Sequence, residues 1–231
     1  MSAAARDRSG ESLRGFFITL EGIEGTGKTT HQDLLARALE SRGFTVAVTR
    51  EPGGTPLGRA LRGLLLDDAS EPPVPEAELF LLLADRAQHV QRVILPALNR
   101  GEVVIADRYI DASLAYQGAG RAIDEAGVRW GNRLATGGLV PDLTLLFELP
   151  VDEAFARIER RRAREGRLDR LDRESVEFFA RVRDAYHRLA RAEPDRFRIV
   201  CTREDKEDGA AEILTAVLPR LEERRRAGAL A

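Results

Sequence analysis

The sequence predicts an α/β fold in which a five-stranded parallel sheet is flanked by helices. Five short apolar or β-branched runs are bounded by glycine, proline or charged residues, at positions 16–20, 45–49, 103–107, 143–147 and 197–201. Runs of this kind that alternate with helical patterns are joined by right-handed crossovers, so the strands are expected to be parallel and covered on both faces. The 231 residues show no internal repeat and no linker, which suits one compact domain.

The helices of the first half are indicated by apolar residues at helical spacing. Residues 29–41 carry leucine and alanine on one face, and Gly43 ends this helix. A second helical pattern covers 56–66, and a long helix is expected over 76–99 with a distortion near Pro96.

Composition sets the domain limits and the compartment. Net charge is -2 with a pI near 6.0, and no apolar run approaches the roughly 18 residues of a membrane span, so neither nucleic acid nor a membrane is an expected partner. Residues 1–14 and 225–231 are expected to be tails, and 15–224 the domain.

The single cysteine, Cys201, fits a reducing compartment, so the cytoplasm is the expected location. Cys201 itself is expected to be a small buried residue at a strand end.

A phosphate-binding loop follows the first predicted strand. The pattern G-x-x-x-x-G-K-[ST] runs from Gly22 to Thr29 between a strand and a helix, which is the context that this motif requires. Glycines let backbone N–H groups point at an anion, and the helix N-terminus adds unpaired donors. Only Lys28 and Lys206 among 36 basic residues are lysine, which favours a phosphate site over a ligand-free glycine turn. The residues expected around the ATP phosphates are Gly22, Ile23, Glu24, Gly25, Thr26, Gly27, Lys28, Thr29 and Thr30.

The third predicted strand indicates which kind of P-loop protein this is. It ends in Asp107-Arg108-Tyr109, with arginine where a water-activating glutamate often stands, and the chain has no Asn-Lys-x-Asp guanine-binding motif. An arginine at this place suits a second phosphate, which indicates a nucleoside monophosphate kinase. Thr29 and Asp107 are the candidate Mg²⁺ ligands.

The chain resembles the thymidylate kinase family, of the bacterial type with an arginine-rich lid. The resemblance rests on residues 17–30, on Thr-Arg-Glu-Pro-Gly-Gly at 49–54, on Asp107-Arg108-Tyr109 with 115–118 after it, and on Leu-Asp-Arg at 168–170. It covers about 16–221. It implies a P-loop NTPase fold with a lid at about 157–173, transfer of the ATP γ-phosphate to dTMP with Mg²⁺, and a homodimer.

The resemblance also implies roles for individual residues. Arg50 and Arg108 would bind the acceptor phosphate, with Glu24 close to the acceptor sugar and phosphate. The base and sugar would be contacted by Arg86, Ser113, Tyr116 and Gln117. The catalytic residues would be Lys28, Arg108 and a lid arginine among Arg161, Arg162 and Arg164. Leu82 departs from the family, which usually has an aromatic residue there to stack on thymine.

Other interpretations of these residues stay open at this point. Leu82 leaves room for another nucleoside monophosphate or deoxynucleoside kinase, and a catalytically inactive ATP-binding regulatory protein is a different class. Arg50 could be a surface turn residue, and Asp107 and Arg108 a structural ion pair. Arg86 could be a solvated or salt-bridged helix residue, and most lid arginines a solvated helix face.

Overall fold

The sheet has five parallel strands in the order β2-β3-β1-β4-β5. A computed structural model describes residues 13–67, 71–165, 170–202 and 206–230. The strands are β1 (Phe16–Glu21), β2 (Val46–Arg50), β3 (Val103–Asp107), β4 (Leu143–Glu148) and β5 (Phe197–Cys201). All five predicted strands are confirmed, and their ends differ from the prediction by one residue at most.

Helices connect the strands and cover both faces of the sheet. They are α1 (Lys28–Glu40), α2 (Pro56–Leu66), α3 (Pro75–His89), α4 (Leu95–Asn99), α5 (Ile110–Ser113), α6 (Glu125–Thr136), α7 (Val151–Glu165), α8 (Val176–Ala192) and α9 (Lys206–Arg226). π-helical turns cover Val90–Ile94 and Leu114–Gly120, and a 3₁₀ turn covers Arg170–Arg173. No helix within the described ranges is both long and apolar enough to cross a membrane.

The long helix expected over 76–99 is divided by the π-helical turn into α3 and α4. The division falls just before Pro96, as the prediction of a distortion required. Pro96 stands in the first turn of α4, where its missing N–H group removes no hydrogen bond that a regular helix start would make.

The core lies on both faces of the sheet, because successive residues of each strand point to opposite sides. Ile18 and Leu145 face α1 and α9, whereas Phe17 and Val104 face the region of α4. Leu146 belongs to the cluster that α8 completes. Burial on both faces explains why the strands consist almost wholly of apolar residues.

The described chain extends past both expected ends of the domain at 15 and 224. Leu13 is buried in the cluster around α4, whereas residues 1–12 of the expected tail lie outside the described ranges. At the other end α9 continues to Arg226, and the Arg225 guanidinium lies 3.7 Å from the centre of the Phe44 ring. Leu230 packs against the same core cluster as Phe44.

Cys201 is exposed, so the prediction that it is buried was wrong. β5 pairs with β4 alone and is the edge of the sheet, and three of its five residues are exposed. A strand's place at the edge is a property of strand order, which the local sequence pattern does not contain.

Candidate active site

The phosphate loop lies at the carboxyl end of β1, in the middle of the sheet. β1 pairs with β3 on one side and β4 on the other, so the loop opens beside the end of β3. Parallel sheets bind ligands in crevices at this edge. Six of the nine predicted loop residues line the cleft there: Glu24, Gly25, Gly27, Lys28, Thr29 and Thr30. Gly22, Ile23 and Thr26 are not part of this lining. The carbonyl oxygens of Gly22 and Ile23 accept from Lys28, and the Thr26 hydroxyl donates to the carbonyl oxygen of Ile23.

The glycines of the loop are required by its close packing against its neighbours. Gly25 has φ +77°, and a Cβ atom there would lie 2.6 Å from the carbonyl oxygen of Ala154 in α7. At Gly22, φ is +133° and a Cβ would lie 2.4 Å from the carbonyl oxygen of Phe147. Neither position accepts a side chain, so the loop takes this narrow turn only with glycine.

The side chain of Lys28 is buried against the phosphate loop. Its ammonium donates to the carbonyl oxygens of Gly22 (3.0 Å) and Ile23 (2.8 Å). Burial, followed by the nearby charge of Arg108, lowers the pKa of Lys28 to about 8, although carboxylates including Asp107 act the other way. The cation is therefore held at a cost that a bound anion would relieve.

Arg108 has a left-handed backbone, with φ +69°, which is uncommon for a residue with a side chain. The amides on both sides of its Cα are fixed. Its own N–H donates to the carbonyl oxygen of Leu20 (3.0 Å), and that of Tyr109 donates to the Glu21 carboxylate (2.8 Å). Strain held in this way by the surroundings is typical of functional positions.

This backbone directs the Arg108 guanidinium across the cleft to the phosphate loop. Nη2 donates to Glu24 Oε1 (2.6 Å) and lies 3.0 Å from the Tyr116 hydroxyl, which itself donates to Glu24 Oε2 (2.6 Å). The other terminal nitrogen of Arg108, Nη1, lies 3.4 Å from the Tyr186 hydroxyl. The structure therefore brings together the predicted residues Glu24, Arg108 and Tyr116. Arg108 pairs with Glu24, not with Asp107 as the ion-pair alternative supposed.

Arg86 also lines the cleft, but it is almost fully buried, with 1% of its surface exposed. Nε donates to Glu51 Oε2 (2.8 Å), Nη1 to Ser113 Oγ (2.9 Å) and to Asn132, and Nη2 to the carbonyl oxygen of Tyr109 (2.8 Å). The alternative of a solvated arginine is therefore wrong, whereas a salt bridge is present. Its partners Glu51 and Asn132 were missed from the sequence.

A buried polar chain supports Arg86 from behind. The second oxygen of Glu51 lies 2.9 Å from His89 Nδ1, and the other ring nitrogen lies 2.6 Å from Thr49 Oγ1. Asp85 adjoins this chain and accepts from the N–H of Gly53 (3.3 Å). Burial, and next the charge of Glu51, raises the pKa of Asp85 to about 6. The hydrogen bond from Gly53 to Asp85 ties the turn after β2 to α3.

The residues expected to hold Mg²⁺ fit that ion. Asp107 and Thr29 both line the cleft, and Thr29 is exposed to it. Asp107 Oδ1 is buried and accepts no hydrogen bond from any described residue. A carboxylate and a hydroxyl are ligands that Mg²⁺ prefers, with its other positions filled by phosphate and water. No cluster of three or more His, Cys, Asp or Glu occurs in the described ranges.

The far end of the cleft holds the predicted acceptor residues. Arg50 is exposed and lines the cleft. Ser113 and Gln117 line it as well, and Gln117 Nε2 donates to Glu78 Oε1 (2.6 Å). Leu82 forms part of the wall, as expected from its sequence position.

Arginines of α7 cover the cleft. Arg161 lines it and donates to Asp172 Oδ2 (2.5 Å) in the 3₁₀ turn. Arg157 and Arg160 line it too and were not among the predicted catalytic arginines; Arg157 donates to the carbonyl oxygen of Thr202 (2.7 Å). The side chains of Arg162 and Arg164 lie outside the described residues, as do residues 168 and 169 of the Leu-Asp-Arg segment.

The whole cleft has a volume of about 1000 Å³. The phosphate loop with Lys28, the arginines Arg50 and Arg108 at the ends of β2 and β3, and arginines of α7 all line it. An enclosure with separate cationic groups at two places suits two anionic ligands placed end to end. Fold and site together define a P-loop phosphotransferase of the nucleoside monophosphate kinase class.

Comparisons with known proteins identify the family within this class. The family model described as thymidylate kinase matches residues 20–213. The thymidylate kinase of Desulfovibrio desulfuricans is 49% identical over 204 residues, which is 87% of this chain and 94% of that protein. That of Pseudomonas syringae pv. syringae is 47% identical over 214 residues, covering 93% of this chain and 100% of that protein. The crystal structure of thymidylate kinase from Ehrlichia chaffeensis superposes with a TM-score of 0.71 at 32% identity, covering 88% of this chain and 98% of that one. The chain belongs to the thymidylate kinase family.

Proposed function

We propose that this protein transfers the γ-phosphate of ATP to the phosphate of dTMP, which gives dTDP. The observation that carries the proposal is one cleft that the phosphate loop with Lys28 shares with two further cations, Arg50 and Arg108. Membership of the thymidylate kinase family supplies the identity of the acceptor. Neither another nucleotide kinase nor an inactive regulatory protein is favoured.

The chemistry needs positioning and charge compensation more than proton transfer. The second pKa of a phosphate monoester is about 6, so dTMP is mostly a dianion at pH 7 and is already a nucleophile. The obstacle is the repulsion between two polyanions that must meet in line. Fixed cations inside an enclosed site reduce this repulsion, and they need no reorganisation during the reaction.

The donor end is assigned to the phosphate loop and to α7. The loop amides and Lys28 bind the β- and γ-phosphates of ATP. Thr29 and Asp107 would hold Mg²⁺, which when bound neutralises phosphate charge. Arg161 lies at the cleft and is the described member of the predicted catalytic lid arginines.

The acceptor site is assigned to residues at the ends of β2 and β3 and after them. Arg50 and Arg108 bind the dTMP phosphate, since a guanidinium offers a planar fork to phosphate oxygens. Glu24 and Tyr116 orient Arg108, and Tyr116 stands beside the sugar, where it disfavours a 2′-hydroxyl. The thymine edge meets Arg86, Ser113 and Gln117, with Leu82 against the ring in place of an aromatic residue.

Turnover with different acceptors tests the proposal. Initial rates with ATP and dTMP, dUMP, dCMP, dAMP or thymidine should give the highest kcat/KM for dTMP, and a better acceptor among the others would refute the assignment. Arg50→Ala should raise the KM for dTMP about tenfold or more, because a charge-assisted hydrogen bond is lost. Arg59→Ala is the matched control, since Arg59 is exposed and lies outside the cleft.

The assembly that we propose is a cytoplasmic homodimer formed through α3 and α6. Leu83 of α3 packs on Gly131 of α6, and these neighbouring helices expose Phe80 (66%), Trp130 (67%) and Leu134 (63%). Large exposed apolar side chains on adjacent helices indicate a protein contact. Trp130→Glu should convert the dimer to a monomer in light scattering. A mass equal to that of the unchanged protein would contradict this interface.

A further inference from the structure

One buried carboxylate outside the predicted site connects three segments around the acceptor end of the cleft. Glu78, in the first turn of α3, is 2% exposed. Its Oε1 accepts from Gln117 Nε2 (2.6 Å), and its Oε2 accepts from Arg170 Nη2 (2.6 Å) and Arg121 Nη2 (3.2 Å). The partners are 39, 92 and 43 residues away in the chain.

The two arginines keep this carboxylate ionised. Burial by itself raises the pKa of Glu78, but the hydrogen bonds from Arg170 and Gln117, together with the charge of Arg121, lower it overall. Arg121 is itself held by Glu174 at 2.5 Å. An ionised carboxylate has no proton to donate, so it can only accept hydrogen bonds.

The ionised carboxylate decides which way the Gln117 amide faces. Only the NH₂ group of Gln117 can face Glu78, because two oxygen acceptors cannot share a hydrogen bond. The carbonyl oxygen of the amide must then point away from Glu78. Gln117 is part of the cleft wall, so this oxygen is available to a ligand in the cleft.

We propose that Glu78 is a positioning residue for base specificity, which makes Gln117 present a hydrogen-bond acceptor to the base of the acceptor nucleotide. The inference rests on the proposed function and on the base lying at Gln117. Thymine and uracil carry a donor at N3, whereas cytosine has an acceptor there. The fixed amide oxygen of Gln117 can therefore accept a hydrogen bond from N3 of thymine or uracil. With cytosine, the same oxygen would face the N3 acceptor, and no hydrogen bond would form.

The test compares dUMP with dCMP, because these nucleotides differ only at the base edge in question. The ratio of their kcat/KM values is measured for the unchanged protein and for Glu78→Gln, whose neutral amide lets Gln117 turn either way. Glu78→Gln should reduce the dUMP preference about three- to tenfold, the size of one hydrogen bond, mainly through KM. Glu174→Gln is the matched control: it also removes a carboxylate from Arg121 but leaves Gln117 untouched, so the ratio should not change.

The outcomes separate this inference from the function on which it rests. If the unchanged protein phosphorylates neither dTMP nor dUMP, both are overturned. If it does so and Glu78→Gln shifts KM equally for both nucleotides, only the role of Glu78 is overturned. Should Glu78→Gln fail to fold, Gln117→Met decides, because it removes the amide and keeps the volume. Loss of the dUMP preference in that variant supports the inference, and its retention overturns it.

Discussion

Raising the pH should weaken ATP binding, because Lys28 starts to lose its proton near pH 8. The lysine is buried between the carbonyl oxygens of Gly22 and Ile23, close to the positive charge of Arg108. Its pKa of about 8 describes the protein without nucleotide. Bound phosphates raise this pKa again, so binding above pH 8 requires uptake of a proton.

The expected size follows from the protonated fraction of Lys28. With a pKa of about 8, this fraction falls from about three quarters at pH 7.5 to about one tenth at pH 9, so the Kd for ATP should rise about eightfold. At pH 8.5 each bound ATP should take up about three quarters of a proton. Mg²⁺ at saturation keeps ATP itself fully deprotonated over this range.

Isothermal titration calorimetry in buffers of different ionisation enthalpy measures both the Kd and the proton uptake. Lys28→Arg should show no such dependence, since a guanidinium stays charged throughout. Lys206→Arg changes the only other lysine of the chain and should keep the eightfold effect. A Kd for the unchanged protein that is constant from pH 7.5 to 9, with no proton uptake, would refute the reasoning.

Two further predictions concern Glu21 and Leu82. Burial, and next the charge of Asp111, raises the pKa of Glu21 to about 7, so the native state holds a proton that the unfolded chain releases near pH 4.5. The free energy of unfolding should therefore fall by up to about 3 kcal/mol as the pH rises from about 4.5 to 7. Urea titrations at pH 5 and 8 measure this fall, and Glu21→Gln should remove it. A difference between the two pH values that is the same in Glu21→Gln would contradict the prediction. Leu82→Phe should lower the KM for dTMP about three- to tenfold, because the aromatic ring stacks on the base. Phe80→Leu changes an exposed position and should leave this KM unchanged. Equal effects of the two substitutions would contradict the placement of the base.

The strands and the phosphate loop could be predicted because their signals are local. Each strand is a short apolar run with a marked end, and the loop motif needs only eight consecutive residues. Residues 56–66 were located without error as α2. The edge position of β5 was not predictable, since strand order depends on which distant strands pair, and this is why the exposure of Cys201 was missed.

The site was predictable as a set of residues but not as a network. The resemblance to a known family pointed to Arg86 and Gln117, and both line the cleft. Their partners Glu51, Asn132 and Glu78 come from other elements, between 35 and 46 residues away. The glutamate in Thr-Arg-Glu-Pro-Gly-Gly was a usable signal for Glu51, whereas nothing in the sequence marked Asn132 or Glu78.

The left-handed backbone at Arg108 has a consequence for protein engineering. Glycine at this place would relieve about 1 kcal/mol of steric conflict, but it would also remove the ion pair with Glu24 and the guanidinium that lines the cleft. The strained arginine therefore offers no gain in stability that keeps the activity. Thermal selection on this chain should therefore leave residue 108 fixed and seek its gains on the surface.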